Sequence, residues 1–122
     1  MRLLWTLSLL LWLPAALAGD GIRILVQRSP LAGSQYYALG QYWPQLKVGD
    51  ALQLIREPDN RHDRQAIRVE WRGHPLGYVP RANNRALAAA LDAGERLVAR
   101  IAELNEHPDP WRRVRFEVFV DL

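Results

Sequence analysis

Apolar and polar residues alternate along most of the chain after residue 20, which is the period of a β-strand with one buried face. The clearest case is the last segment, where Val114, Phe116, Val118 and Val120 alternate with charged residues. The same kind of pattern predicts strands over 21–27, 51–56, 67–71, 75–79, 95–104 and 114–120. A short continuation of the first strand over 31–33, after a kink at Pro30, is also compatible with the pattern.

The segment after Pro80 is the one convincing helix in the pattern. Asn83 or Asn84 can cap its first turn, Leu87 and Leu91 are spaced to share one face, and Gly94 suits the left-handed residue that ends a helix. Several short strands with one main helix predict a mostly β fold, either a small barrel or an α+β sheet.

The first eighteen residues follow a different pattern. Arg2 precedes an apolar run from Leu3 to Leu13, and Ala16 to Ala18 form a small-residue cleavage signature. This order predicts a secretory signal peptide over residues 1–18 and a single domain over residues 19–122. The alternative is an uncleaved anchor. We expect export to the periplasm or the extracellular space, with no stable membrane span after cleavage.

Composition excludes several kinds of chemistry. With no cysteine there is no disulfide, thiolate nucleophile or cysteine metal site, and the net charge of +3 permits nucleic-acid binding without arguing for it. No glycine-rich phosphate loop or zinc-protease motif occurs. The predicted domain has Ser29 and Ser34 as its only aliphatic hydroxyls, and neither lies next to a histidine. We therefore expect no catalysis, no cofactor and no metal.

Four aromatic residues, Tyr36, Tyr37, Tyr42 and Trp43, lie within eight positions. Because aromatic side chains bury large areas, we favour the interpretation that they cap one end of the core. The alternative is that one or two stay exposed and stack on a planar ligand.

Polar residues cluster just before the third predicted strand. The run from Glu57 to Asn60 has the composition of a turn, and Asn60 to Arg64 places five polar or ionisable side chains in a row. Carboxylates here could ligate a cation, but the spacing lacks the alternation of a calcium loop, so we favour a turn-bracing role.

These motifs, taken together, resemble the HIRAN domain family, as a stand-alone bacterial-type member. The residues that carry the resemblance are 56–60, 62–69 and 76–80, with Tyr36-Tyr37 upstream and Asn84, Leu87, Leu91 and Ala93-Gly94 downstream. The resemblance covers roughly residues 22–120. It implies a small OB-like or SH3-like β-barrel that binds the 3′ end of single-stranded DNA without catalysis.

The resemblance also implies roles for individual residues. Tyr36 corresponds to a ring that stacks on the terminal base, and Asp63 to a carboxylate that accepts a hydrogen bond from the 3′-hydroxyl. Tyr37, Tyr78 and Arg81 fall at other pocket or phosphate-contact positions. His62 stands where the family has a second stacking tyrosine.

Charge near this predicted site differs from the family pattern. Gln35 stands where the family has an arginine, so we expect weaker binding, for which Arg61, Arg64 and Arg81 could compensate.

The predicted partner is a single-stranded nucleic acid. The alternative is an exported structural or protein-interaction domain, with an envelope protein as partner, that kept the fold and lost DNA binding. We expect a monomer.

Overall fold

The computed structural model describes residues 21–122. The predicted signal peptide over 1–18 lies outside the described residues. Six strands form the fold: β1 (Arg23–Pro30), β2 (Ala51–Arg56), β3 (Ile67–Trp71), β4 (His74–Tyr78), β5 (Leu97–Leu104) and β6 (Val114–Asp121). The helices are α1 (Leu39–Tyr42) and α2 (Arg85–Asp92), with short 3₁₀ turns at Ser34–Tyr36, Trp43–Gln45, Arg81–Asn83 and Pro110–Arg112.

The strands form one antiparallel sheet in the order β1-β6-β5-β2-β3-β4. Its two outer strands, β1 and β4, are linked by one isolated bridge, in which Ala32, two residues after the end of β1, and Tyr78 of β4 exchange backbone hydrogen bonds of 2.8 and 2.9 Å. The sheet is therefore strongly curved and OB-like, but its edges are joined by a single bridge instead of a full strand pairing. The prediction of a mostly β, barrel-like fold with one main helix is confirmed.

Gly77 permits this bridge. A Cβ atom at Gly77 would lie 2.5 Å from the carbonyl oxygen of Ala32, so only glycine lets the two backbones approach this closely. The bridge also fixes where the chain continues, because Ala32 and Gly33 lead directly into the 3₁₀ turn Ser34–Tyr36, which carries the exposed Tyr36.

The core cluster joins buried residues of the strands β2 to β6 with Leu39 of α1 and residues of α2. β3 shows the physical reason most simply, since Ile67, Val69 and Trp71 are buried while the residues between them are half-exposed. Leu87 and Ala88 of α2 join the same cluster. The alternation read from the sequence thus places one face of each inner strand in the core.

Two local expectations need correction. Asn84 occupies the N-cap position of α2, but its side chain makes no capping hydrogen bond, because a 3₁₀ turn runs directly into the helix and Asn84 has helical φ and ψ. The short helix α1 was not predicted, since its four residues are too few to show a helical period. Among residues 21–122, no helix is long and apolar enough to cross a membrane.

Candidate functional site

A groove of about 320 Å³ opens beside the bridge that joins the two sheet edges. It is lined by Ala32, Gly33, Tyr36, Tyr37, Asn60, His62, Asp63, Ala66, Tyr78, Val79 and Arg81. Of the seven residues singled out from the sequence, the structure brings six together here. Arg64 is not among them: it borders a separate shallow depression together with Pro58, Asp59, Asn60 and Arg61.

Tyr36 forms the most exposed wall of the groove. Gly33 has a left-handed φ of 70° and starts the 3₁₀ turn that carries Tyr36, which is 80% exposed. Tyr37 is also exposed, at 41%. The expectation that the aromatic segment caps the core is therefore wrong for these two residues, whereas Tyr42 and Trp43 do pack against the core.

The opposite wall is the loop between β2 and β3, and Asn60 shapes it. The Asn60 Oδ1 atom accepts hydrogen bonds from the backbone N–H groups of His62 and Asp63, at 2.8 and 3.1 Å. Asparagine favours such turns because its short side chain reaches its own downstream backbone. His62 is exposed on this wall, and Arg81 donates to the His62 carbonyl oxygen.

Asp63 is the half-buried carboxylate of the groove, with a side chain that is 19% exposed. Its Oδ1 accepts from the Gln65 backbone N–H at 2.9 Å, and its Oδ2 accepts from the Asn84 amide at 2.7 Å. The Arg81 guanidinium lies 3.7 Å from the same Oδ2. An ionised carboxylate has about four acceptor sites. Asp63 therefore retains acceptor capacity for a ligand.

The charge state of Asp63 follows from these contacts. Burial alone would raise the pKa of Asp63, but the Gln65 N–H and the Asn84 amide, with the charges of Arg81 and Arg56, hold the pKa below its ordinary value. The groove therefore presents a stable negative charge at neutral pH.

Glu57 does not line the groove but anchors two residues that do, Tyr78 and Asn60. Its carboxylate accepts hydrogen bonds from the Tyr78 hydroxyl at 2.9 Å and the Asn60 amide at 2.9 Å, and it pairs with Arg68. Burial opposes ionisation, but these three donors outweigh it and lower the pKa of Glu57. Burial and the Glu57 carboxylate together raise the pKa of the Tyr78 hydroxyl. The carboxylate read as turn-bracing in the sequence does brace the turn.

Aromatic packing orders the second tyrosine. The rings of Tyr37 and Tyr78 lie 5.6 Å apart between centroids and are tilted by 59°. Tilted pairs at this distance are a favoured aromatic geometry. Tyr37 and Tyr78 thus form one continuous aromatic surface beside the exposed ring of Tyr36.

Sequence reasoning did not anticipate the positions of two residues that adjoin groove-lining segments without lining the groove themselves. Asn84 is only 1% exposed and bonds to Asp63, although 21 residues separate them. Trp111 is 49% exposed on the 3₁₀ turn that packs beside the one carrying Tyr36. No local pattern announces either contact, because each depends on which turns the sheet brings together.

A metal site finds no support in the described part of the chain. Within residues 21–122, no three histidine, aspartate or glutamate side chains are grouped so that they could hold one ion. The carboxylates of Glu57 and Asp63 instead accept hydrogen bonds from donors of the protein.

Comparison with known proteins extends this picture. A crystallised protein from Lactobacillus plantarum is 26% identical, with a TM-score of 0.71, over 83% of this chain and 97% of that chain. The crystal structure of the HIRAN domain of human HLTF is 18% identical, with a TM-score of 0.58, over 81% of this chain and 77% of that chain, and so shows a likeness of fold. No curated protein sequence matches significantly. Because the HIRAN domain model matches residues 24–122, the chain belongs to the HIRAN domain family.

Proposed function

We propose that the protein is a non-enzymatic module that binds single-stranded nucleic acid, specifically single-stranded DNA with a free 3′-hydroxyl end. Membership of the HIRAN family supports nucleic-acid binding. The terminal base stacks on Tyr36 and His62, and the 3′-hydroxyl donates a hydrogen bond to Asp63. Tyr37, Tyr78 and Arg81 complete the groove.

The observation that carries this proposal is an exposed aromatic ring and a half-buried, ionised carboxylate lining the same groove. An exposed tyrosine on a surface turn gains nothing for the fold, but stacking on a base contributes about 1–3 kcal/mol and tolerates any sequence. A protein that used Tyr36 only for packing would bury it.

Asp63 supplies the preference for an end. An ionised carboxylate only accepts hydrogen bonds, so it favours a terminal hydroxyl, which can donate. The same charge repels a terminal phosphate, which gives discrimination by repulsion. Internal phosphodiesters have no hydroxyl at this position and gain nothing from Asp63.

A second candidate function is a structural or protein-interaction role for a domain that kept the HIRAN fold. The observation in its favour is a row of exposed aliphatic side chains at one corner of the sheet. These are Ile22, Ile24, Leu25, Val26 and Leu122. Exposed apolar patches of this kind often mark protein interfaces. A purely structural or protein-interaction role does not account for the exposed Tyr36 or for the unused acceptor sites of Asp63.

We also propose that the chain is exported and acts in the periplasm or outside the cell as a monomer. Its nucleic-acid ligand would then be extracellular or incoming single-stranded DNA, and an envelope protein is the partner under the second candidate function. The test is the mass of the protein recovered from the envelope of expressing cells. A mass that corresponds to residues 19–122 supports export and cleavage. The mass of the full chain from Met1 contradicts cleavage, and absence of the protein from the envelope contradicts export.

The test of the binding proposal is fluorescence anisotropy with 5′-labelled oligonucleotides that differ only in a 3′-hydroxyl or 3′-phosphate. We expect tighter binding to the 3′-hydroxyl end and a shallow dependence on salt, because arginine–phosphate attraction alone gives a steep one. Asp63→Asn should reduce the preference. Asp59→Asn is the matched control, since it removes the same charge from the same loop but outside the groove. Equal affinity of the wild-type protein for both ends would rule out end capture.

A further inference from the structure

Asn84 uses its side chain in an unusual way for its position. It is the N-cap residue of α2 and is 1% exposed, yet it makes no capping hydrogen bond. Its amide nitrogen instead donates to Asp63 Oδ2 at 2.7 Å. Its Oδ1 atom is buried and has no hydrogen-bond partner among residues 21–122.

Both features are unfavourable for folding. A side chain that caps the first turn stabilises a helix, and Asn84 forgoes this contribution. A buried carbonyl oxygen without a donor pays its desolvation in full. The hydrogen bond from the Asn84 amide to the charged Asp63 carboxylate offsets part of these two costs, and a local rule broken in this way is typical of functional positions. The contact that Asn84 does make is with the carboxylate of the groove.

We propose that Asn84 is the positioning residue that sets end selectivity, by orienting the Asp63 carboxylate in the groove. This inference rests on the proposed function of Asp63. The Asn84 amide holds Oδ2 while the Gln65 N–H holds Oδ1, so both oxygens are fixed from the protein side. The acceptor sites that remain are the ones available to a terminal hydroxyl.

The amide is suited to this task because it donates without titrating. The groups around Asp63 that carry or can carry charge are Arg81, Arg56 and His62, together with the tyrosines that line the groove. Arg81 is 70% exposed, so solvent screens its charge. The buried Asn84 contact is not screened in this way and persists in high salt.

The inference is tested with Asn84→Ala and Asn84→Asp, and with Asn83→Ala as the matched control. Asn83 is an exposed neighbour whose backbone carbonyl, not its side chain, accepts from Gln27. Each protein is measured for its affinity ratio between 3′-hydroxyl and 3′-phosphate oligonucleotides across a pH series. The titration of the Asp63 carboxyl carbon by NMR is followed in parallel, with no DNA present.

For Asn84→Ala we expect the affinity ratio to fall about tenfold, the order of effect of one hydrogen bond to a charged group. The ratio should also collapse at a higher pH than in the wild type, because Asp63 without the amide donor has a higher pKa. Asn84→Asp preserves the shape of the side chain but places two carboxylates together. The affinity ratio of this variant should therefore be lost at a pH higher still than in Asn84→Ala. Asn83→Ala should behave like the wild type.

Two results would overturn the inference. One is an Asp63 titration that is the same in Asn84→Ala and the wild type. The other is an equal loss of affinity for both oligonucleotides at every pH, which is the signature of a merely structural residue. A wild-type protein without end preference instead overturns the proposed function, and the DNA-free NMR titration still decides whether the Asn84 amide acts on the Asp63 carboxylate.

Discussion

Replacing Tyr36 by alanine should weaken oligonucleotide binding and leave the fold intact. Because Tyr36 is 80% exposed, its ring contributes little to packing, and we expect the free energy of unfolding to change by less than about 0.5 kcal/mol. Loss of one stacked base costs about 1–3 kcal/mol, and every 1.4 kcal/mol is a factor of ten in affinity. The dissociation constant should therefore rise by roughly 5- to 150-fold.

The presence of His62 in the same groove narrows the expected loss of binding free energy for Tyr36→Ala. His62 is exposed and lines the same groove as Tyr36, so under the proposed binding mode it can still stack on the base after the substitution. We therefore expect a loss near the lower end, about 1–2 kcal/mol. Because both rings act on one base, the effects of Tyr36→Ala and His62→Ala should not add. A double-mutant cycle should give a coupling energy of at least about 0.5 kcal/mol.

The assay is fluorescence anisotropy with a labelled oligonucleotide, together with thermal unfolding of each variant. Tyr36→Phe is the matched control, since it keeps the ring and removes only the hydroxyl, and it should bind like the wild type. The reasoning is refuted if a folded Tyr36→Ala protein binds within twofold of the wild type. It is also refuted if Tyr36→Phe loses as much affinity as Tyr36→Ala, because stacking would then not be the source.

Three further substitutions have defined outcomes. Gln35→Arg adds a phosphate-pairing charge beside the groove, so anisotropy should show tighter binding with a steeper salt dependence, and an unchanged salt slope would contradict this. Gly77→Ala forces a Cβ to 2.5 Å from the Ala32 oxygen and should destabilise the protein by about 1–3 kcal/mol, measured by urea unfolding. Gly40→Ala, where no atom lies within 4 Å, is its control and should be neutral or stabilising. The pKa of Glu57 is lowered in the folded protein, so its stabilisation is present above its unfolded pKa and is lost as pH falls through the folded value. Glu57→Gln should therefore lower the melting temperature at neutral pH and flatten its decline in acid, whereas an equally steep decline would show that Glu57 contributes none of it.

The strands were readable from the chain because burial on one side of a sheet imposes a period of two. Val69 and Phe116 are fully buried at positions that this period marks as inward. The first strand was harder to delimit, since Ile24, Leu25 and Val26 are all exposed and do not alternate between core and solvent. The strand was predicted to end at Gln27, whereas β1 continues through Pro30.

The candidate site was only partly readable. Family resemblance singled out Tyr36 and Asp63, whereas composition alone favoured a buried tyrosine. Exposure of Tyr36 depends on the left-handed Gly33 and on the neighbouring bridge, which no periodicity encodes. Arg64 lies one residue after Asp63 but outside the groove, because the turn bracing that aims Asp63 inward leaves Arg64 on the outer depression.

By itself the sequence determined which segments become the six strands and the main helix α2, that cysteine chemistry is excluded, and that the loop before β3 is a turn. These are local properties, set by side-chain period, residue type and turn chemistry. Only the tertiary structure decided that Tyr36 is exposed, that Asn84 reaches Asp63, and that six candidate residues share one groove. Such contacts join residues far apart in the chain, and they form only when the curved sheet brings its two edges together at Ala32 and Tyr78.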